Sequence, residues 1–171
     1  AEAWDCALRT VRSPSVLCLS RQALPTFRSD VGGINRVAQG AYVVVNPEAE
    51  RDVTLIATGS EVAIATEAAK ELAAQGIHAA VVSAPCLELF AAQPKDYQHA
   101  VLGRCARVGI EAAVEAGWGR WLGSDGEFVG MKGFGASAPA NVLYREFGIT
   151  PEVVVLTALR AVARFRIEGR K

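Results

Sequence analysis

The sequence predicts an α/β fold, a three-layer open sheet of about five mostly parallel strands with helices on both faces. Three observations carry this. Val53–Gly76, VTLIATGSEVAIATEAAKELAAQG, reads as a buried strand, a glycine turn and an amphipathic helix, and a further apolar run, Ile77–Val82, follows at once. Short apolar runs then alternate with helical spacing to the C-terminus. The chain has 171 residues, 51% of them hydrophobic, enough for one domain with a real core, or for one domain plus a fragment.

Val53, Leu55, Ile56 and Ala57 form a run suited to a strand covered on both faces. Gly59 takes a turn conformation at no steric cost. Ser60 suits the N-cap, where its hydroxyl can hold a free backbone N–H. Val62, Ala65, Ala69, Leu72 and Ala73 recur at helical spacing, with Glu67 and Lys70 opposite as a weak ion pair. Gly76 is a natural C′ stop. A strand–helix–strand unit of this kind crosses right-handed and pairs its strands in parallel.

Before this unit, periodicity is poor. Ala3–Val11 reads as the end of a helix, broken by Pro14. Ser15–Ser20, SVLCLS, reads as a short strand, and a strand with no partner is unstable alone. Ala23–Gly33 carries Pro25, Gly32 and Gly33 as a linker would. Residues 1–30 therefore read as the tail of another domain. Residues 31–52 read as a linker and first strand, Ala41–Val45, and residues 53–166 as the α/β domain proper.

After Val82 the order continues. Ser83-Ala84-Pro85 leaves the strand sharply, Leu87–Phe90 is one helical turn, and Asp96–Leu102 is a short helix ended by Gly103. Ala106–Ala112 is a strand. Ala113–Gly123 starts a helix with Trp118 and Trp121 inward, and Gly126–Met131 is a further strand. The glycine-rich turn Lys132–Ala138 leads to a helix over Pro139–Phe147, since proline suits the first helical position. The last helix runs from Thr150-Pro151-Glu152 to about Phe165, with Val154, Leu156, Leu159, Val162 and Ala163 inward. Residues 167–171 are set aside as a disordered tail or remnant, because Ile167–Arg170, IEGR, resembles a factor Xa recognition site.

Composition narrows the function. Eighteen basic and eighteen acidic side chains cancel, and no charge block stands out. Electrostatics thus do not argue for nucleic acid or anionic membrane as partners, and neither is expected. No apolar run approaches the roughly 20 residues that span a bilayer. Ala1–Thr10 contains Glu2 and Asp5 and does not read as a secretory signal. Cys6, Cys18, Cys86 and Cys105 are widely spread without metal-ligand spacing, which reads as free thiols in a reducing cytosol.

Candidate chemistry is sparse. Gly133–Ala138, GFGASA, fits GxGxxA between a strand and a helix, as a dinucleotide turn would. No acidic residue follows at the end of a second strand, and the helix begins with proline, so a packing turn is the preferred reading. Ser124-Asp125-Gly126 is half of a metal-binding GDG turn and reads as a plain β-turn. His78 and His99 are isolated, with His78 placed on the surface at a strand edge. Ser60 lacks the GxSxG frame of a nucleophile elbow. Glu111 and Glu115 sit near a strand end and read as structural. Arg21, in Leu19-Ser20-Arg21-Gln22 at a strand's end, has the donors to grip a phosphate, although spacing alone reads it as a surface arginine.

Six segments in this order resemble the transketolase family. They are SVLCLSRQALP (Ser15–Pro25), GAYVV (Gly40–Val44), LIATGSEV (Leu55–Val62), VVSAPCLELF (Val81–Phe90), GWGRWLG (Gly117–Gly123) and GMKGFGASAPANVLYREFGIT (Gly130–Thr150). LSRQ and GFGASAP separate transketolases from deoxyxylulose-phosphate synthase and the pyruvate dehydrogenase beta subunit. The resemblance implies a thiamine-diphosphate- and magnesium-dependent homodimer. It would move a two-carbon ketol unit between sugar phosphates, in the pentose phosphate pathway and the Calvin cycle. It also implies that residues 1–30 end the pyrimidine-binding domain and that the rest is the C-terminal domain. No catalytic, cofactor or metal residue carries over. Only Arg21 does, as a ligand of the substrate phosphate. The chain alone is expected to be an inactive scaffold and dimer-contact piece of a cytoplasmic enzyme. The alternative is a free-standing module that binds a nucleotide or phosphate on the turns Thr58–Ser60 and Lys132–Ala138.

Overall fold

The computed structural model describes residues 1–28 and 33–168. Its helices are α1 (Glu2–Arg9), α2 (Glu61–Ala74), α3 (Leu87–Ala91), α4 (Lys95–Leu102), α5 (Gly119–Leu122), α6 (Ala140–Glu146) and α7 (Pro151–Glu168). Five strands, β1 (Tyr42–Val45), β2 (Val53–Ala57), β3 (Ala79–Ser83), β4 (Ala106–Val114) and β5 (Glu127–Met131), form one sheet in the order β1-β3-β2-β4-β5. β2 pairs in parallel with β3 and β4, and β4 with β5, while β1 runs antiparallel to β3. This is the open, mostly parallel sheet the sequence predicts.

β2 lies at the centre, and all five of its residues are buried. Alternation splits them between two cores. Val53, Leu55 and Ala57 face α2 and α7, where Ala65, Leu72, Val154 and Ala158 close the layer. Ile56 faces the other layer with Phe90, Leu102, Trp118 and Trp121. There the Phe90 and Trp121 rings lie 5.0 Å apart, and those of Trp118 and Phe128 5.5 Å apart. Thr54 lies under α4, and its hydroxyl donates to the Leu102 carbonyl at 2.9 Å.

The end of α2 follows the sequence. Gly76 has φ +75°, its N–H reaches the Ala73 carbonyl, and Ile77 N–H reaches that of Leu72. These two bonds are the Schellman arrangement, which satisfies orphan carbonyls. The start differs. Ser60 stands at the N-cap position without capping, because its hydroxyl donates to Glu61 Oε1 instead. Ala73 is exposed.

Other expectations shift for tertiary reasons. Ser15–Ser20 joins no ladder among the described residues, and Val16 and Leu19 are 83% and 78% exposed. A strand exists only where a neighbour takes its N–H and C=O groups. α1 buries no residue. Polar bonds hold it instead: Arg28 donates twice to the Glu2 carboxylate, at 2.6 and 3.0 Å, and Asn35 donates to the Glu2 carbonyl and to Asp5. Residues 113–114, expected in a helix, extend β4 past a bulge against β5, and only Gly119–Leu122 is helical. On α7, Val155 and Ala161 are buried, whereas Leu156 is 61% exposed and Ala163 is exposed. α7 also continues through Ile167 and Glu168, past the end near Phe165 that the sequence predicts. Ser29–Gly32 of the expected linker and Gly169–Lys171 lie outside the described residues. No helix among the described residues is long and apolar enough to cross a membrane.

Gly40 shows where backbone shape is decisive. Its φ is +80°, and a Cβ there would sit 2.1 Å from the Phe90 amide nitrogen and 2.5 Å from the Cys86 carbonyl oxygen. Both obstacles are backbone and cannot swing aside. Gly40→Ala is therefore expected to cost about 3 kcal/mol or more through overpacking and left-handed strain. Urea unfolding of the variant checks this, and a change under about 1 kcal/mol would contradict the packing described.

Candidate functional site

Open α/β sheets bind ligands beyond the carboxyl ends of their strands. Here that edge carries two polar clusters. In the first, Glu111 at the end of β4 accepts from Thr58 Oγ1 at 2.9 Å and from Trp118 Nε1 at 2.8 Å. Both carboxylate oxygens are thus engaged, so Glu111 ties β2 to the loop before α5. This is the structural role its position suggested. Glu115 is exposed.

The second cluster escaped the sequence reading. Glu61, the first residue of α2, is only 4% exposed. Its Oε1 accepts from Ser60 Oγ at 2.8 Å and from the Tyr144 hydroxyl, and its Oε2 accepts from the Ala112 N–H at 3.3 Å. Tyr144, on α6, also lies 2.7 Å from Ser60 Oγ, and Gln22 Nε2 donates to the Tyr144 oxygen at 3.4 Å. A buried carboxylate survives only with such donors. One signal was available: Glu61 starts the row 61, 65, 68, 72 that is otherwise apolar and buried. Gln22 and Tyr144 are 122 residues apart, and no local pattern links them.

Arg21 lies beside this cluster. It is exposed, and no hydrogen bond or ion pair joins it to another described residue. It lines an open cavity of about 750 Å³ with Gln22, Leu143 and the Ala136–Ala140 turn. An adjoining cavity of about 400 Å³ reaches Leu19, Ser60 and Tyr144. A guanidinium at a cavity rim with no carboxylate partner is available to an anion.

The remaining candidates separate. The GFGASA turn is exposed, Phe134 completely so, and a Cβ on Gly133 or Gly135 would meet nothing within 4 Å. Close packing therefore does not demand these glycines, contrary to the packing-turn reading. α6 has seven residues, with Pro139 at its N-cap, and makes a poor pyrophosphate cradle. His78 is not isolated. Its N–H donates to Asp52 Oδ2 at 2.9 Å, and its Nδ1 lies 3.4 Å from the same oxygen. Burial opposes the charge on Asp52, but the His78 amide and the Arg166 guanidinium outweigh it and hold the carboxyl below its usual range. His99 is exposed. Ser124-Asp125-Gly126 is a turn before β5. Among the described residues no three His, Cys, Asp or Glu side chains converge as metal ligands. All four cysteines are free.

Burial pushes the Tyr144 phenol above its ordinary value of about 10, and the bond to Glu61 adds to this. Above that pH the folded state holds a proton that the unfolded chain releases, so stability falls as pH rises through this window. Tyr97, Cys86 and Cys105 are raised by burial in the same direction. Tyr144→Phe should therefore show a shallower, not absent, loss of stability above about pH 10. Thermal unfolding against pH measures it, and an unchanged slope would count against the buried phenol.

A sequence profile described as "Transketolase-like TK C-terminal domain" matches residues 40–150. A transketolase of Cereibacter sphaeroides is 58% identical over 158 residues, covering 92% of this chain and 24% of that protein. A solved transketolase from Leishmania mexicana superposes with a TM-score of 0.86 at 44% identity, covering 96% of this chain and 24% of that one. A Pichia stipitis transketolase solved with sedoheptulose 7-phosphate gives 0.87 at 32% identity over the same shares. The chain thus spans about a quarter of the length of the curated relatives it matches. The resemblance carried by LSRQ and GFGASAP holds, and the chain belongs to the transketolase family, of which it carries the C-terminal domain.

Proposed function

We propose that this chain serves a thiamine-diphosphate- and magnesium-dependent transketolase as its C-terminal domain, joined to the end of the pyrimidine-binding domain. That enzyme is a cytoplasmic homodimer. It transfers a two-carbon ketol unit between sugar phosphates in the pentose phosphate pathway or the Calvin cycle. Within it, this domain is scaffold and dimer contact, and Arg21 holds the substrate phosphate. The carrying observation is identity to transketolases through nine-tenths of the chain, at a quarter of their length. The thiamine chemistry requires its ring to be held and its diphosphate anchored. A free-standing nucleotide-binding module is not favoured, because the relatives are transketolases and the GFGASA turn offers no cradle.

Two outcomes test this reading. The 171-residue chain, given thiamine diphosphate, magnesium, xylulose 5-phosphate and ribose 5-phosphate, should show no turnover, and measurable turnover would sink the proposal. In the full-length enzyme that carries this domain, Arg21→Ala should raise KM for xylulose 5-phosphate about 10- to 100-fold. That corresponds to losing a charged hydrogen bond worth about 1.5–3 kcal/mol. Steady-state kinetics measure it, and an unchanged KM would remove Arg21 from the site.

A further inference from the structure

We propose that Tyr144 and Glu61 are positioning residues that hold the Leu19–Gln22 segment, and so Arg21, at the cavity beside the Ala136–Ala140 turn. The inference rests on the reading of Arg21 as a phosphate ligand. A guanidinium held in place before its ligand arrives avoids the cost of being ordered on each binding event.

The tether is a directed chain of hydrogen bonds. Gln22, next to Arg21, donates to the Tyr144 oxygen at 3.4 Å. The Tyr144 hydroxyl in turn reaches Ser60 Oγ at 2.7 Å and Glu61 Oε1. Ser60 Oγ donates to the same Oε1 at 2.8 Å. Every proton in this chain can point toward the carboxylate, and bonds aligned in one direction polarise one another. The anchor is rigid, since Glu61 is 4% exposed in the first turn of α2 and its other oxygen takes the Ala112 N–H of β4. The domain body thereby sets the placement of a residue from the segment before it. Tyr144 and Leu143 are neighbours on α6, so the helix that carries the tether also lines the cavity with Arg21.

The test uses the full-length enzyme that carries this domain, with two substrate pairs. One pair is xylulose 5-phosphate with ribose 5-phosphate. The other is hydroxypyruvate with glycolaldehyde, which carry no phosphate. Tyr144→Phe deletes the hydroxyl and keeps the ring. It should raise KM for xylulose 5-phosphate about 3- to 10-fold, the effect of one neutral hydrogen bond, with kcat unchanged. The phosphate-free pair should be unaffected. Arg21→Ala with Tyr144→Phe should be no worse than Arg21→Ala alone, because the tether acts only through Arg21. Gln22→Met cuts the same chain outside the packed body and should shift KM in the same direction, whatever Tyr144→Phe does to folding. An unchanged KM in both Tyr144→Phe and Gln22→Met, an equal rise for both substrate pairs, or additivity with Arg21→Ala would overturn the tether while leaving Arg21 a phosphate ligand. If Arg21→Ala itself leaves KM unchanged, the underlying reading of Arg21 fails, and the tether's role falls with it.

Discussion

The burial of β2 on both faces is the constraint on which the rest of the structure depends. A strand flanked by parallel neighbours and covered above and below has no polar side to spare. Val53, Leu55 and Ala57 require α2 and α7 on one face, while Ile56 requires the aromatic layer of Phe90, Trp118 and Trp121 on the other. Each fully buried large side chain is worth about 1.5–3 kcal/mol. The crossover helix α2 has no alternative place, since its connections to β2 and β3 are short and the unit is right-handed. β4 lies on the opposite side of β2 from β3 and runs parallel to it, so the loops after β2 and β4 leave at one edge.

That edge is where polar groups concentrate, for a reason the core imposes. The strands end there, and their last N–H and C=O groups need partners. Glu111 and Glu61 provide acceptors for side chains that converge from distant segments: Thr58 and Trp118 on the first, Ser60 and Tyr144 on the second. Each carboxylate is held by donors rather than by a cation. Such an arrangement orders the loops without presenting charge to solvent. The contrast with Arg21 is informative. The guanidinium a few residues away in space has no partner among the described residues and borders open volume. The edge thus combines satisfied, rigid groups with an available cation in Arg21.

The N-terminal segment obeys different physics. α1 buries nothing and is held by the Glu2–Arg28 pair and the Asn35 bonds. The apolar side chains Val11, Val16 and Leu19 face solvent. A surface of that composition is ordinarily covered by further protein. This agrees with relatives four times as long, in which this segment is followed by the same domain.

Much of the fold was legible in the residues. The apolar run Val53–Ala57, the helical spacing of Val62 to Leu72, and Gly76 define the central unit because strand, helix and stop signals are local properties of the chain. The order of six motifs was enough to identify the family. What local signals could not express was pairing. Ser15–Ser20 has the composition of a strand, but a strand is made by its neighbour, and none is present among the described residues. The inward face of α7 includes Val155 and Ala161 rather than Leu156, because the angle at which the helix meets the sheet chooses among apolar positions. Ser60 has the side chain of a cap, but its hydroxyl donates to the buried Glu61 carboxylate instead. Most of the polar edge was invisible for the same reason. Gln22, Glu61 and Tyr144 meet only once the chain has folded, and a hydrogen bond between residues 122 positions apart leaves no trace in either neighbourhood. Local propensity and patterning were determined by sequence alone. Which side chains meet, and with what geometry, was decided by the packing of two layers on one sheet.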